Sequence, residues 1–219
     1  LYLGITSALG SVGQAIMPLL ASWLIERYEW QATMLFMLAV LLLMALCIPF
    51  VKLRGCSPMD GQSSTSTEDT QSIFKTVSAA FTHPSFVFLT AGFFVCGFHL
   101  AFITAHLPNY VQHFCMGTQM SPEELRALGL KALSIVGFAN IFGTLLASYL
   151  GTIFSKPYVL SAIYALRTIV ILVFVSQPVT PESLMLFAIA MGALWLSTVP
   201  LTSSLVLTMY GPKTVGTLF

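Results

Sequence analysis

The 219-residue chain is 57% hydrophobic and 8% charged, with a formal net charge of +1 and a mean hydropathy of +0.88. A soluble domain carries about 25% charged residues, so composition excludes a soluble enzyme, and a basic cluster that would meet nucleic acid is missing as well. What remains is an integral membrane protein, and its long apolar runs make it helical, because the strands of a membrane barrel alternate apolar and polar residues.

A membrane-crossing helix needs about 20 mostly apolar residues. The first such run is Leu1–Ile25, and the second, Trp30–Val51, follows a short polar junction that holds Glu26, Arg27 and Glu29. The chain starts inside one apolar run and ends as Tyr210–Phe219 turns apolar again, as expected of an internal piece of a longer protein. Gly10, Gly13 and Pro18 predict a helix–helix contact surface or hinge on the first run.

The connection Lys52–Pro84 is the one long polar stretch. Its middle, Gly61–Gln71, reads GQSSTSTEDTQ and has no apolar residue to bury, which predicts a flexible linker. Ile73, Phe74, Val77, Ala80 and Phe81 then recur at helical spacing, which predicts a short amphipathic helix in the membrane interface.

The third run is Phe86–Ala105 and the fourth Ala132–Phe154. The fourth is preceded by Ser121-Pro122-Glu123-Glu124, a capping box with Pro at the first helical position. Gly143, Ala147 and Gly151 give it the small-xxx-small spacing of a close helix contact. Ser155-Lys156-Pro157 then forces a reversal into the fifth run, Tyr158–Val175, and Thr180-Pro181-Glu182 opens the sixth, Leu184–Met209.

Lys and Arg in the connections set the orientation. Lys52, Arg54, Lys75, Lys156 and Lys213 fall on one side, whereas Arg27, Arg126 and Lys131 fall on the other, where Glu26, Glu29, Glu123, Glu124 and Glu182 offset them. The excess of basic residues makes the side of the long linker cytoplasmic.

Three stretches resemble the major facilitator superfamily of transporters, in particular the branch of monocarboxylate transporters and oxalate:formate antiporters. Gly10–Met34 (GSVGQAIMPLLASWLIERYEWQATM) is similar to the fifth helix of that fold. Gly92–Tyr110 (GFFVCGFHLAFITAHLPNY) is similar to the seventh, and Met191–Phe219 to the tenth and the loop that follows it. The fold class this implies is an all-α membrane protein whose six transmembrane helices are helices five to ten of a twelve-helix major facilitator fold. Residues 1–51 are then the last two helices of the N-terminal half. Residues 52–84 are the cytoplasmic linker, and 85–219 the first four helices of the C-terminal half with the start of the next. The implied function is secondary active transport by alternating access about a site near the bilayer midplane. A small organic anion is the expected substrate and a proton the candidate coupling ion. The expected partners are that substrate, the lipid bilayer and the remaining helices of a full-length chain, with no nucleic acid. The expected location is a plasma or bacterial inner membrane. A drug or other-solute facilitator of the same fold, or a membrane sensor that does not transport, is the alternative.

The chain departs from the family pattern in two places. The turn Gly151–Lys156 keeps a Gly and a Lys but lacks the acid common there. Asn140 and Thr144 stand where animal monocarboxylate transporters carry an Asp and an Arg.

Polar side chains inside the membrane are the candidate substrate contacts. His99 and His106 lie seven apart on one face of the third run, with Phe102, Asn109 and His113 along the same stripe. A His can donate, accept and carry a proton near neutral pH. Arg167 is the lone formal charge deep in a span, about 15 Å from Pro157 at the helical rise. It is an anion-binding candidate, or else a partner for helix-terminal carbonyls, with Tyr164 on nearly the same face. In the sixth run Met191, Trp195, Thr198 and Thr202 fall on one helical face, and the resemblance to the tenth helix puts that face beside the cavity. Asn140, Thr144 and Gln14 complete the set, although intramembrane amides and hydroxyls also serve to bridge helices.

No chemistry of bond-making is encoded. The four cysteines, Cys47, Cys56, Cys96 and Cys115, have no Cys-x-x-Cys spacing and form no zinc pattern. No Gly-rich phosphate loop ending in Gly-Lys-Ser/Thr is present. Neither a metal, a cofactor nor a catalytic constellation is expected.

Overall fold

The computed structural model describes residues 2–47, 76–114, 120–211, 215 and 218. The elements are α1 (Tyr2–Cys47), α2 (Pro84–Phe114), α3 (Pro122–Ile153), α4 (Lys156–Ser176), α5 (Pro181–Leu194) and α6 (Thr198–Tyr210). The expected linker Gly61–Gln71, Ile73, Phe74, Cys56, Cys115 and Lys213 lie outside the described residues. Residues 76–81 are helical, and Ala80 there packs with Phe86 and Val206 in a small apolar cluster.

Two compact units are distinguished: Leu1–Leu19 with Thr76–Phe219, and Leu20–Lys75. In the second unit the junction between the first two predicted runs is not a loop. It is a kink at one non-helical residue, Glu29 (φ 66°, ψ 169°), where two helices of the α1 stretch meet directly. Trp23 meets Tyr28 edge-on just before it, and the Thr33 hydroxyl donates to the Glu29 carbonyl at 3.1 Å.

The first unit is a helical bundle in which α3 packs against α2, α4, α5 and α6. Each helix start follows from local sequence. The Ser121 hydroxyl accepts from Glu124 N–H at 3.3 Å while the Glu124 carboxylate accepts from Ser121 N–H at 2.7 Å, the reciprocal box that satisfies two of the amides a helix N-terminus leaves open. Thr180 and Ser183 do the same for α5. The Phe154–Ser155 reversal leaves α3 and α4 adjacent, and Tyr158 N–H closes it on the Ser155 carbonyl at 3.0 Å.

Without water between helices, association in a membrane depends on close packing and hydrogen bonds rather than on burial of oil. The α3 glycines supply the close packing. Gly143 lies against the Ala193 backbone, Gly151 against Leu201, and Gly137 against the backbone of Gln14 and Ala15. On α1 the close contacts among the described residues do not involve the expected Gly10 and Gly13. Gly10 and Gly13 meet nothing within 4 Å among the described residues, whereas Gly4 touches Ser148. The reason is angular: Gly4, Ser11 and Ala15 follow seven and four apart along one helix face, and Gly10 and Gly13 fall outside that stripe. The core proper contains Val136, Leu184, Phe187, Ala188, Met191 and Trp195, with Ile103, Leu107 and Val111 of α2.

The sixth predicted run departs most from expectation. It is two helices, α5 and α6, interrupted at 195–197. Pro200 explains the break, because it offers no N–H to the Leu196 carbonyl four residues back and its ring would collide with that carbonyl in a continuous helix. The single face drawn through Met191, Trp195, Thr198 and Thr202 is therefore split across the interruption.

Candidate functional site

Two polar features share the first unit. The larger is a cavity of about 410 Å³ walled by Phe98, His99, Phe102, His106, Tyr110, Phe174 and Phe187, among other apolar side chains. The size suits a small organic solute. Phe174 and Phe187 stack at 4.2 Å, and Phe102 lies 4.8 Å from the His106 ring. His99 Nδ1 is buried and has no hydrogen-bond partner among the described residues. The cavity thus presents aromatic walls with two imidazoles placed two turns apart on α2.

The second feature is the break between α5 and α6, which opens the carbonyls of Leu194 and Trp195 and the amide of Leu196. In hydrocarbon such groups must find partners inside the protein. Arg167, 2% exposed, supplies two of them: one guanidinium nitrogen donates to the Leu194 carbonyl at 2.5 Å and to the Trp195 carbonyl at 2.8 Å. A cation at a helix C-terminus also meets the negative end of the helix dipole. Tyr164 lies under the guanidinium at 5.6 Å and donates its hydroxyl to the Gly92 carbonyl at 2.7 Å, which ties α4 to α2.

Asn140 supplies the third partner. Its Oδ1 accepts Leu196 N–H at 2.9 Å and the Thr144 hydroxyl at 3.1 Å, while its Nδ2 donates to Ser11 Oγ at 2.9 Å. Cys96 closes the other side of the bend, with Sγ 3.2 Å from Thr198 Oγ1.

The sequence candidates divide between these features. His99 and His106 line the cavity together, as their spacing predicts. Asn109 and His113 are exposed and do not line it. Arg167, Asn140, Thr144 and Thr198 gather at the bend and bond to the protein there, although Arg167 Nε has no partner among the described residues. Thr202 donates to the Thr198 carbonyl. Trp195 is 1% exposed, sits in the apolar core, and its Nε1 lacks a partner among the described residues. Gln14 is half-buried, with Oε1 likewise unpartnered. Sequence reasoning missed Ser11 and Cys96. Pro200, preceded by Ser197 and Thr198, is the signal that would have located the bend, and nothing in the sequence marks Cys96.

A family model described as Major Facilitator Superfamily matches residues 1–219. No curated protein and no solved structure matches the chain.

Proposed function

The chain belongs to the Major Facilitator Superfamily, and from that premise we propose that it is the part of a secondary transporter that carries a small organic anion with an apolar body, together with a proton. Membership makes it a multi-pass membrane protein of a transporter family, whose members are generally not enzymes. The observation that carries the finer reading is the cavity in which aromatic walls surround His99 and His106. An apolar body fits against Phe98, Phe102 and Phe174, and a carboxylate taken out of water needs a charged donor to offset its desolvation. A protonated His99, whose Nδ1 has no other partner among the described residues, is that donor. Proton and anion binding then reinforce each other, which is the thermodynamic core of symport. Arg167 contributes a fixed positive charge behind the site rather than a direct contact, since its guanidinium holds the Leu194 and Trp195 carbonyls.

By the resemblance of α1, α2 and the α5–α6 segment, the helices are the fifth to tenth of twelve, so transport belongs to the full-length protein. In liposomes that enclose a pH-sensitive dye, short carboxylates with apolar tails are expected to acidify the lumen, and His99→Ala to slow the response by about tenfold or more while His113→Ala leaves it intact.

A second reading rests on the same walls. Five aromatic residues, Phe98, Phe102, Tyr110, Phe174 and Phe187, line the cavity, and aromatic faces hold lipophilic cations. Uptake of a lipophilic cation with no response to carboxylates selects this reading.

A further inference from the structure

We propose that Ser11 and Asn140 are positioning residues that couple the seating of α1 on α3 to the bend between α5 and α6. Two close contacts of α1 with α3, Gly4 on Ser148 and Ala15 on Gly137, bracket the Ser11–Asn140 hydrogen bond from either side. Sliding or tilting α1 therefore moves Ser11 Oγ. Ser11 and Asn140 are 1% and 0% exposed, so water does not replace either partner.

A side-chain amide has two acceptor lone pairs and two donor hydrogens. Both acceptor positions of Asn140 are in use, by Leu196 N–H and the Thr144 hydroxyl. The plane of the amide is fixed at its other end by the bond from Nδ2 to Ser11. When Ser11 withdraws, the amide is free to turn, and Leu196 N–H loses the acceptor that holds the bend on the α3 side. Arg167 holds the opposite, carbonyl side from α4. The bend is thus clamped by one residue that answers to α1 and one that does not. The inference depends on neither the solute nor the proton, so it stands or falls separately from the transport reading.

Cys96 reports the state of the bend. It is 3% exposed, and its sulfur lies 3.2 Å from Thr198 Oγ1 and 3.9 Å from the Trp195 carbonyl, so alkylation requires the bend to loosen. The test is the rate of Cys96 modification by N-ethylmaleimide in the full-length protein in liposomes, read on the Cys96 peptide by mass spectrometry. The loss of one hydrogen bond corresponds to a change of about fivefold. Ser11→Ala is expected to accelerate modification by about that factor. Gly137→Ala, whose new methyl would meet the Ala15 backbone, is expected to do the same without altering any polar group, and it serves if Ser11→Ala does not fold. Ser134→Ala, which removes a buried α3 hydroxyl that has no partner among the described residues, is expected to match wild type. Wild-type rates in Ser11→Ala and Gly137→Ala, with acceleration only in Asn140→Ala, would show that the bend is indifferent to α1 and overturn the proposal. Equal acceleration in Ser134→Ala would overturn it too, by revealing general loosening.

Discussion

Arg167 donates to the carbonyl oxygen of Trp195 at 2.8 Å, so the one formal charge deep in a span is spent on the backbone of a neighbouring helix. The same nitrogen holds the Leu194 carbonyl. Arg167→Met retains length and apolar packing but removes both donors. It is expected to destabilise the protein by about 2–3 kcal/mol, the cost of unsatisfied buried acceptors that had faced a charged donor. Thermal unfolding in detergent measures this. Arg167→Lys, which keeps the charge without the planar fork, is expected to fall between the two.

Because the clamp exists to serve the break, it matters less in a helix without one. Pro200→Ala restores an N–H and removes the ring clash, which allows α5 to run on into α6 and satisfy its own carbonyls. The double variant Pro200→Ala, Arg167→Met is expected to lose at least about 1 kcal/mol less than the sum of the single losses, the interaction energy of residues that share one network. Strict additivity would show that Arg167 and the break are independent.

This part of the molecule was only partly legible in the sequence. Charge-free apolar runs, capping boxes at Ser121 and Thr180, and the shared face of His99 and His106 depend on local chemistry, and they are found where the residues put them. The bend was missed because no charged residue interrupts 195–200, and only Pro200 interrupts the helical hydrogen bonding there. The Glu29 junction was expected as a loop and is a single residue, since polar side chains at a span end do not reveal backbone angles. The role of Asn140 was open between substrate and helix contact. Its three partners come from positions 11, 144 and 196, a convergence that no local pattern encodes.

Glycine substitutions should separate contact from coincidence. Gly143→Ala drives a methyl into the Ala193 backbone and is expected to cost about 1–3 kcal/mol, as overpacking does. Gly13→Ala meets nothing within 4 Å among the described residues and is expected to be neutral or to stabilise by up to about 1 kcal/mol through helix propensity. The measurement is thermal unfolding of both variants, and equal effects would contradict the packing described for α3.

Glu29 has a backbone conformation that glycine adopts without steric cost and other residues rarely do. Glu29→Gly is expected to stabilise the folded protein by about 1 kcal/mol or less, after the extra unfolded-state entropy of glycine is subtracted. Glu29→Ala, which keeps the Cβ, should show no such gain. Denaturation midpoints of the pair decide between a conformational and a side-chain effect.

The cavity beside His99 is the centre of the functional reading, and proton movement driven by an organic anion tests it most directly. Full-length protein in liposomes, with a pH-sensitive dye inside, is exposed to a gradient of a short carboxylate with an apolar tail. The expected result is lumen acidification that His99→Ala slows by about tenfold or more, the worth of one charge-assisted hydrogen bond, with His113→Ala unchanged. Acidification that persists at the wild-type rate in a folded His99→Ala protein would contradict the assignment of proton and anion to this cavity.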